Sequence, residues 1–144
     1  MPSCTASAVV TFAVQLEVAC AEFYEDIART CETEQDVFME LAQENLRNGK
    51  LLKRAYYEVV SDALETGFCF EGLELSEHTV DCRQPEGLSR SEIITLALAC
   101  EDKAERLCQI AAERSESLLG DVPRVFAKLA RQREDRKTML SKLL

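Results

Sequence analysis

The chain has 144 residues, which is the usual length of one domain, and carries 26 acidic against 17 basic side chains, giving a formal net charge of −9. This balance argues against nucleic acid or an anionic membrane surface as a partner, because the sequence offers no basic patch to neutralise phosphates. No uninterrupted apolar run approaches the length of about 18 residues that indicates a membrane span, so none is expected.

The first predicted helix runs from about Thr5 or Ser7 to about Thr30. At helical spacing one stripe of this helix contains Ala13, Glu17, Cys20, Tyr24 and Ala28. A carboxylate with small and apolar neighbours points into a core, where it must be paired, metal-bound or protonated. The alternative is that Glu17 lies at the edge of the stripe and reaches water.

The second predicted helix follows and extends to about Leu64. Gly49 interrupts it at a cost of about 1 kcal/mol, which is consistent with the close approach of another helix. From Gly67 to Leu88 the periodicity fails and glycine and proline recur, so we expect a long connection. At about 3.3 Å per residue this segment can cross the full length of a bundle and join the bottom of one hairpin to the top of the next.

Ser89-Arg-Ser-Glu92 is a capping box that predicts the start of the third helix, whose apolar stripe has Glu101 at its centre. Gly120, Asp121 and Pro123 mark the end of this helix and the start of the fourth. For Glu101 and Gln132 to lie at a similar depth, the third helix would have to end early, around Arg114. The basic stretch Arg131–Lys137 is expected to cover the surface of the fourth helix with ordinary i,i+4 pairs.

Together these elements predict a single all-α domain, a ferritin-like four-helix bundle made of two helical hairpins. Residues 1–66 form the first hairpin, 67–88 the crossover and 89–144 the second hairpin. The two hairpins also resemble each other in sequence. Phe38-Met-Glu-Leu-Ala42 matches Phe126-Ala-Lys-Leu-Ala130, and Glu17 matches Glu101.

The seven cysteines and the single histidine, His78, limit the kinds of metal site. No C-x-x-C pair occurs, so neither a zinc ribbon nor a rubredoxin-type iron centre is encoded. Cys20, Cys100 and Cys108 fall on apolar helix faces, where cysteine acts as a small hydrophobic residue. This usage fits a reducing, cytoplasmic environment best.

The pattern Leu16-Glu-x-x-x-x-Glu-Phe-Tyr-Glu-x-Ile-Ala28, followed by Phe-x-x-Leu-Ala-x-Glu44, resembles the rubrerythrin-like branch of the ferritin superfamily. The resemblance implies a di-iron site inside the bundle, to which each hairpin supplies one Glu and one Glu-x-x-His. It implies peroxide reduction or ferrous iron oxidation as activities. It also implies a homodimer formed through a helix face.

The residues of this chain match that ligand set only in part. Glu17, Glu44 and Glu101 stand at ligand positions, and Asp135, at the second histidine position, is a candidate fourth metal ligand. Tyr24 is a candidate neighbour of the ligands; as a redox-active group it would act near a metal, whereas as an ordinary core aromatic it would have its hydroxyl hydrogen-bonded.

Two further ligand positions are replaced, by Arg47 in place of the first histidine and by Gln132 in place of a glutamate. We expect Arg47 to point inward as a counter-ion that replaces one iron, because a guanidinium stays charged and suits carboxylates. The alternative is that Arg47 extends to the surface.

Two functions follow from the incomplete ligand set. The first is a degenerate di-iron centre, free of metal or holding one ion weakly, in a protein with a non-catalytic interaction role. The second is an active rubrerythrin-type oxidoreductase that binds iron.

Overall fold

The computed structural model describes residues 5–60, 75–79, 87–115 and 121–144. Within these ranges the fold is all-helical and contains no strands, which confirms the predicted four-helix bundle. The elements in chain order are α1 (Ala6–Thr30), α2 (Gln35–Val60), a short 3-10 helix (Leu75–His78), α3 (Arg90–Arg114) and α4 (Val122–Ser141). The predicted end of the second helix near Leu64 and most of the predicted connection lie outside the described residues.

The helix ends follow local sequence signals. The Thr5 side chain accepts a hydrogen bond from the Ala8 amide (3.2 Å) and caps α1. The capping box at the start of α3 is present, because the Glu92 amide donates to Ser89 Oγ (3.2 Å) and the Ser89 amide donates to Glu92 Oε1 (3.0 Å). Helix α3 ends at Arg114, which is the early end that a similar depth of positions 101 and 132 in the hairpin requires.

The four helices pack as two hairpins, α1 with α2 and α3 with α4. Across the bundle, α2 lies beside α4 and α1 lies beside α3. Arg90 forms an ion pair with Glu34, so the beginning of α3 lies close to the beginning of α2. Helix α2 then runs 26 residues away from that end of the bundle.

The buried apolar side chains form two clusters, one towards each end of the bundle. At one end the first half of α1 meets the second half of α2, the second half of α3 and the first half of α4. The largest side chains of this first cluster include Leu52, Leu107, Phe126 and Leu129. At the other end the remaining halves of the helices meet, around Phe23, Tyr24, Ile27, Phe38, Ile94 and Leu140. The residues between the two clusters are largely polar.

Helix α1 packs against α2 at Gly49. A Cβ atom built on Gly49 would lie 3.8 Å from Val14 Cγ1 and 3.9 Å from Glu17 Cβ. The prediction that another helix approaches this glycine is therefore confirmed.

Helix α1 is also the one helix of the described chain that is long and apolar enough, by length and composition, to cross a membrane. Its most apolar window has a mean hydropathy of 1.4, and 50% of that window is buried inside the bundle. A core helix of a soluble protein and a signal sequence both meet the same criterion.

Candidate functional site

A layer of polar side chains separates the two apolar clusters and receives residues from all four long helices. Glu17 comes from α1, Asn45 and Asn48 from α2, Glu101 from α3, and Arg133 and Arg136 from α4. All six are buried. We refer to these six residues, with the half-buried Glu44 and the hydroxyl of Tyr24, as the ion-pair layer.

Arg133 lies at the centre of the layer and is completely buried. Its Nη1 donates to Glu101 Oε2 at 2.8 Å, and its Nη2 forms an ion pair with Glu17 Oε1 at 2.8 Å. The Nη2 contact is less well aligned than a hydrogen bond, and Nε has no hydrogen-bond partner within the described part of the chain. One guanidinium thus joins the two carboxylates that the sequence places inside the bundle.

Arg136 joins α4 to both α2 and α3. Its Nη1 donates to Glu101 Oε1 and to Asn45 Oδ1, both at 3.1 Å. Its Nε and Nη2 donate to Glu44 Oε1 at 2.8 and 2.6 Å, and Nη2 also donates to the Leu41 carbonyl at 3.1 Å. Every nitrogen of this guanidinium is therefore used as a donor.

Two neutral side chains complete the environment of the buried carboxylates. The Tyr24 hydroxyl donates to Glu101 Oε1 at 2.6 Å, and Asn45 Nδ2 donates to Glu17 Oε2 at 2.6 Å. Both oxygens of Glu17 and both oxygens of Glu101 consequently have a partner. The predicted hydrogen bond of the Tyr24 hydroxyl is confirmed, and its acceptor is a carboxylate.

The charge states follow from these contacts. Burial by itself raises the pKa of Glu101, but Arg133, Arg136 and the Tyr24 hydroxyl outweigh burial, so this pKa is lowered and Glu101 stays ionised. Burial by itself lowers the pKa of Arg133. The carboxylates of Glu101 and Glu17 raise this pKa by more than burial lowers it, so the pKa lies well above its ordinary value and the guanidinium is always charged. Burial and the neighbouring Glu101 raise the pKa of Tyr24, which stays neutral and acts as a donor.

The layer therefore holds three carboxylates, from Glu17, Glu44 and Glu101, against two guanidiniums. Glu44 is the only one of the three with appreciable exposure, since 32% of its side chain reaches solvent. Charge is nearly balanced without a metal ion. Among the described residues, no group of three or more His, Cys, Asp or Glu side chains lies in an arrangement that could hold a metal.

The structure brings some predicted site residues together and separates others. Glu17, Glu44 and Glu101 all lie in the ion-pair layer. The inward orientation expected for Arg47 is wrong, because Arg47 is exposed on the outer face of α2. Asp135 is also exposed, and the half-buried Gln132 accepts a hydrogen bond from Asn48 Nδ2 at 2.6 Å.

Sequence reasoning missed the polar side chains of α2 and α4 that face the interior of the bundle. On each helix the inward pair lies one position later than predicted, at Asn45 and Asn48 rather than 44 and 47, and at Arg133 and Arg136 rather than 132 and 135. A signal was present, because Arg133 lies seven residues from Phe126 and seven from Leu140, both fully buried.

The expectation that the basic stretch of α4 covers the surface is therefore wrong for its two buried arginines. Their charge argued for the surface, since arginine is rarely buried unless it is paired. Lys137, from the same stretch, pairs across helices with Asp102 at 2.9 Å and Glu105 at 2.6 Å. These partners lie on α3, so the pairing is not the i,i+4 pattern within α4 that was expected.

The cysteines of the core behave as small hydrophobic residues. Cys20, Cys100 and Cys108 are buried. Burial raises the pKa of the Cys108 thiol to about 12, so this group is not a nucleophile at neutral pH. Its place beside the ion-pair layer is structural.

Fold and site together define an all-helical four-helix bundle with a buried layer of carboxylate–guanidinium pairs. Comparisons of the chain with protein-family models, with curated proteins and with solved structures find no match. The resemblance to rubrerythrin-like proteins therefore rests on the residues of this chain alone and stays a prediction.

Proposed function

We propose that this protein is a ferritin-like bundle of rubrerythrin type in which a buried ion-pair layer has replaced the di-iron centre, and that its role is non-catalytic. The contact between Arg90 and Glu34 supports ferritin-like connectivity. Because α2 and α3 begin at the same end of the bundle, the chain between them has to return along its length.

The observation that carries the proposal is the position of Arg133 between Glu17 and Glu101, with 2.8 Å to each carboxylate. A metal ion ligated by these carboxylates would lie within a few ångströms of a guanidinium that cannot lose its proton. Each pair of unit charges of like sign at 4 Å repels by about 4 kcal/mol at an effective dielectric constant near 20. A divalent ion next to two guanidiniums would face several times that penalty.

The ion-pair layer also lacks the ligand types that iron prefers. Asn45 and Asn48 stand where carboxylate and imidazole would be needed on α2, and two arginines stand at the corresponding places on α4. Each oxygen of Glu17 and Glu101 already has a hydrogen-bond or ion-pair partner inside the layer, so a metal ion would have to displace these partners. Without redox chemistry in the interior, the bundle acts through its outer surface, by binding.

The metal content and the two reactions of the family test this proposal. Protein purified after growth in iron-replete medium should contain no stoichiometric iron or manganese, and should neither reduce peroxide nor oxidise ferrous iron above the rate in buffer. Any residual metal should be the same in the Glu17→Gln variant, because it would be bound elsewhere. Two metal ions per chain that are lost in Glu17→Gln, together with turnover, would establish the oxidoreductase instead.

A further inference from the structure

An open cleft of about 400 Å³ lies between α2 and α4, on the side of the bundle where Glu44 reaches solvent. Its apolar lining comes from Val37, Leu41 and Met139. The volume falls in the range of small-molecule sites, which is about 300–1,000 Å³. The cleft is separate from the interior carboxylates Glu17 and Glu101, which do not line it.

Acidic side chains surround this apolar surface. Glu40 and Glu44 on α2 and Asp135 on α4 line the cleft, and Arg136 is the only cation among the described residues that line it. The single charge of Arg136 is shared between Glu44 and the interior Glu101, so the three lining carboxylates leave the cleft with an excess of negative charge.

Glu40 and Asp135 are exposed and form no ion pair or hydrogen bond with any other described residue. Most other lining groups are apolar or already paired. The cleft thus combines an apolar surface with two unpaired carboxylates and a third, Glu44, that has one oxygen engaged by Arg136.

We propose that this cleft binds an aliphatic polyamine. The methylene chain of such a ligand would lie against Val37, Leu41 and Met139, and its ammonium groups would lie near Glu40, Glu44 and Asp135. Such a ligand would both bury methylene groups and neutralise several carboxylates. A hydrated metal ion would not bury apolar surface, and a neutral apolar molecule would not neutralise the carboxylates.

A divalent metal fits the cleft less well. A hydrated magnesium ion gains nothing from the apolar surface, and no three acidic side chains converge on one point in the described residues. Glu44 and Arg136 belong both to the cleft and to the ion-pair layer, but Glu40, Asp135 and the apolar lining lie outside that layer, so spermidine binding and metal content are measured independently. Failure of one proposal would leave the other standing.

Titration of the full chain with spermidine, after chelator treatment and at physiological ionic strength, tests the site. Calorimetry should give saturable one-to-one binding, and NMR should show shifts of the Met139 and Leu41 methyl groups. The Glu40→Gln/Asp135→Asn variant should bind about tenfold more weakly, because two of the three carboxylate contacts are lost. Both substitutions lie at exposed positions, so the fold should be retained, which circular dichroism checks.

The matched control is Glu22→Gln/Glu113→Gln, which removes the same charge from two exposed positions on α1 and α3 that do not line the cleft. This control should bind spermidine as the native chain does. The proposal is overturned by an absence of saturable binding, by equal weakening in the control, or by the same methyl shifts with magnesium at matched ionic strength. It is also overturned if a lysine-rich peptide binds the cleft more tightly than spermidine, since the occupant would then be a protein segment.

Discussion

The residue on which the interior depends most is Arg133. Its guanidinium is fully buried and stays charged beside two buried carboxylates, so it compensates charges that would otherwise be isolated in a medium of low dielectric constant. A buried ion pair contributes little net stability compared with well-packed apolar residues of similar size, because removing both charges from water offsets their attraction. Removing one partner has a different effect, since the other charges stay buried and uncompensated.

Replacement Arg133→Met should therefore lower the free energy of unfolding by about 3–5 kcal/mol at pH 7. Arg131→Met, on the exposed face of the same helix, should change it by no more than about 0.5 kcal/mol. Chemical denaturation of the two variants and the native chain measures the difference. Equal, small effects of both substitutions would mean that Arg133 does not lie between the carboxylates.

The same pair of proteins should differ in pH dependence. In the native chain the lowered pKa of Glu101 stabilises the fold above the unfolded-state value of about 4.3, and this contribution is lost as the pH falls through the folded-state pKa. Without Arg133 the folded-state pKa of Glu101 rises, so acidification removes less stability from the variant. The destabilisation by Arg133→Met should shrink as the pH falls below about 4.3 towards the folded-state pKa of Glu101, and a constant difference across that range would contradict the ion pair.

Within the helices, Gly49 is a position at which the structure leaves room for a larger side chain. The glycine lies in the interior of α2, with ordinary contact distances of 3.8 and 3.9 Å from an added Cβ to α1. Glycine costs about 1 kcal/mol relative to alanine in a helix interior.

Gly49→Ala should therefore raise the free energy of unfolding by up to about 1 kcal/mol, because the new methyl group fits and the unfolded chain loses freedom. Thermal or chemical unfolding measures the change. A loss of stability would show that α1 and α2 lie closer together than the structure places them.

The rotation of α2 and α4 about their axes determines which side chains face the interior, and therefore whether the bundle could hold a metal ion. The inward pair on each helix is shifted by one residue from the pair that sequence spacing alone suggested. Four substitutions in the observed register, Asn45→Glu, Asn48→His, Arg133→Glu and Arg136→His, would place Glu-x-x-His on the inward face of both helices.

The variant with these four substitutions should bind two divalent ions between the hairpins, measured by metal analysis and by cobalt absorption. The matched control places ligands in the other register with Arg47→His, Gln132→Glu and Asp135→His, and should bind no metal pair. If the control binds two ions and the four-residue variant binds none, the register is wrong.

At the scale of the whole molecule, periodicity predicted much of the architecture. The four helices, the capping box at Ser89 and the inward position of Glu17 and Glu101 are all found as expected. Each is a local signal, either a capping residue or an apolar stripe, that does not depend on contacts between distant parts of the chain.

The charged interior was predicted less well, for a physical reason. One residue corresponds to a rotation of about 100° about the helix axis. A rotation of this size in α2 decides whether Arg47 lies inside the bundle, and the same rotation in α4 decides whether Arg133 does. The positive charge favours an exposed position for both arginines. Burial of Arg133 is possible because the carboxylates on α1 and α3 compensate its charge. That pairing is a tertiary contact, so the sequence of α4 by itself does not reveal it.

The guanidiniums of Arg133 and Arg136 occupy the space between the hairpins that iron would need, and this arrangement can be tested. Anomalous diffraction at the iron absorption edge, from crystals soaked anaerobically in ferrous iron, tests it directly. We expect no anomalous peak between the four helices, with Arg133 in contact with both Glu17 and Glu101. Two anomalous peaks within ligand distance of those carboxylates, with Arg133 and Arg136 displaced from the interior, would contradict it.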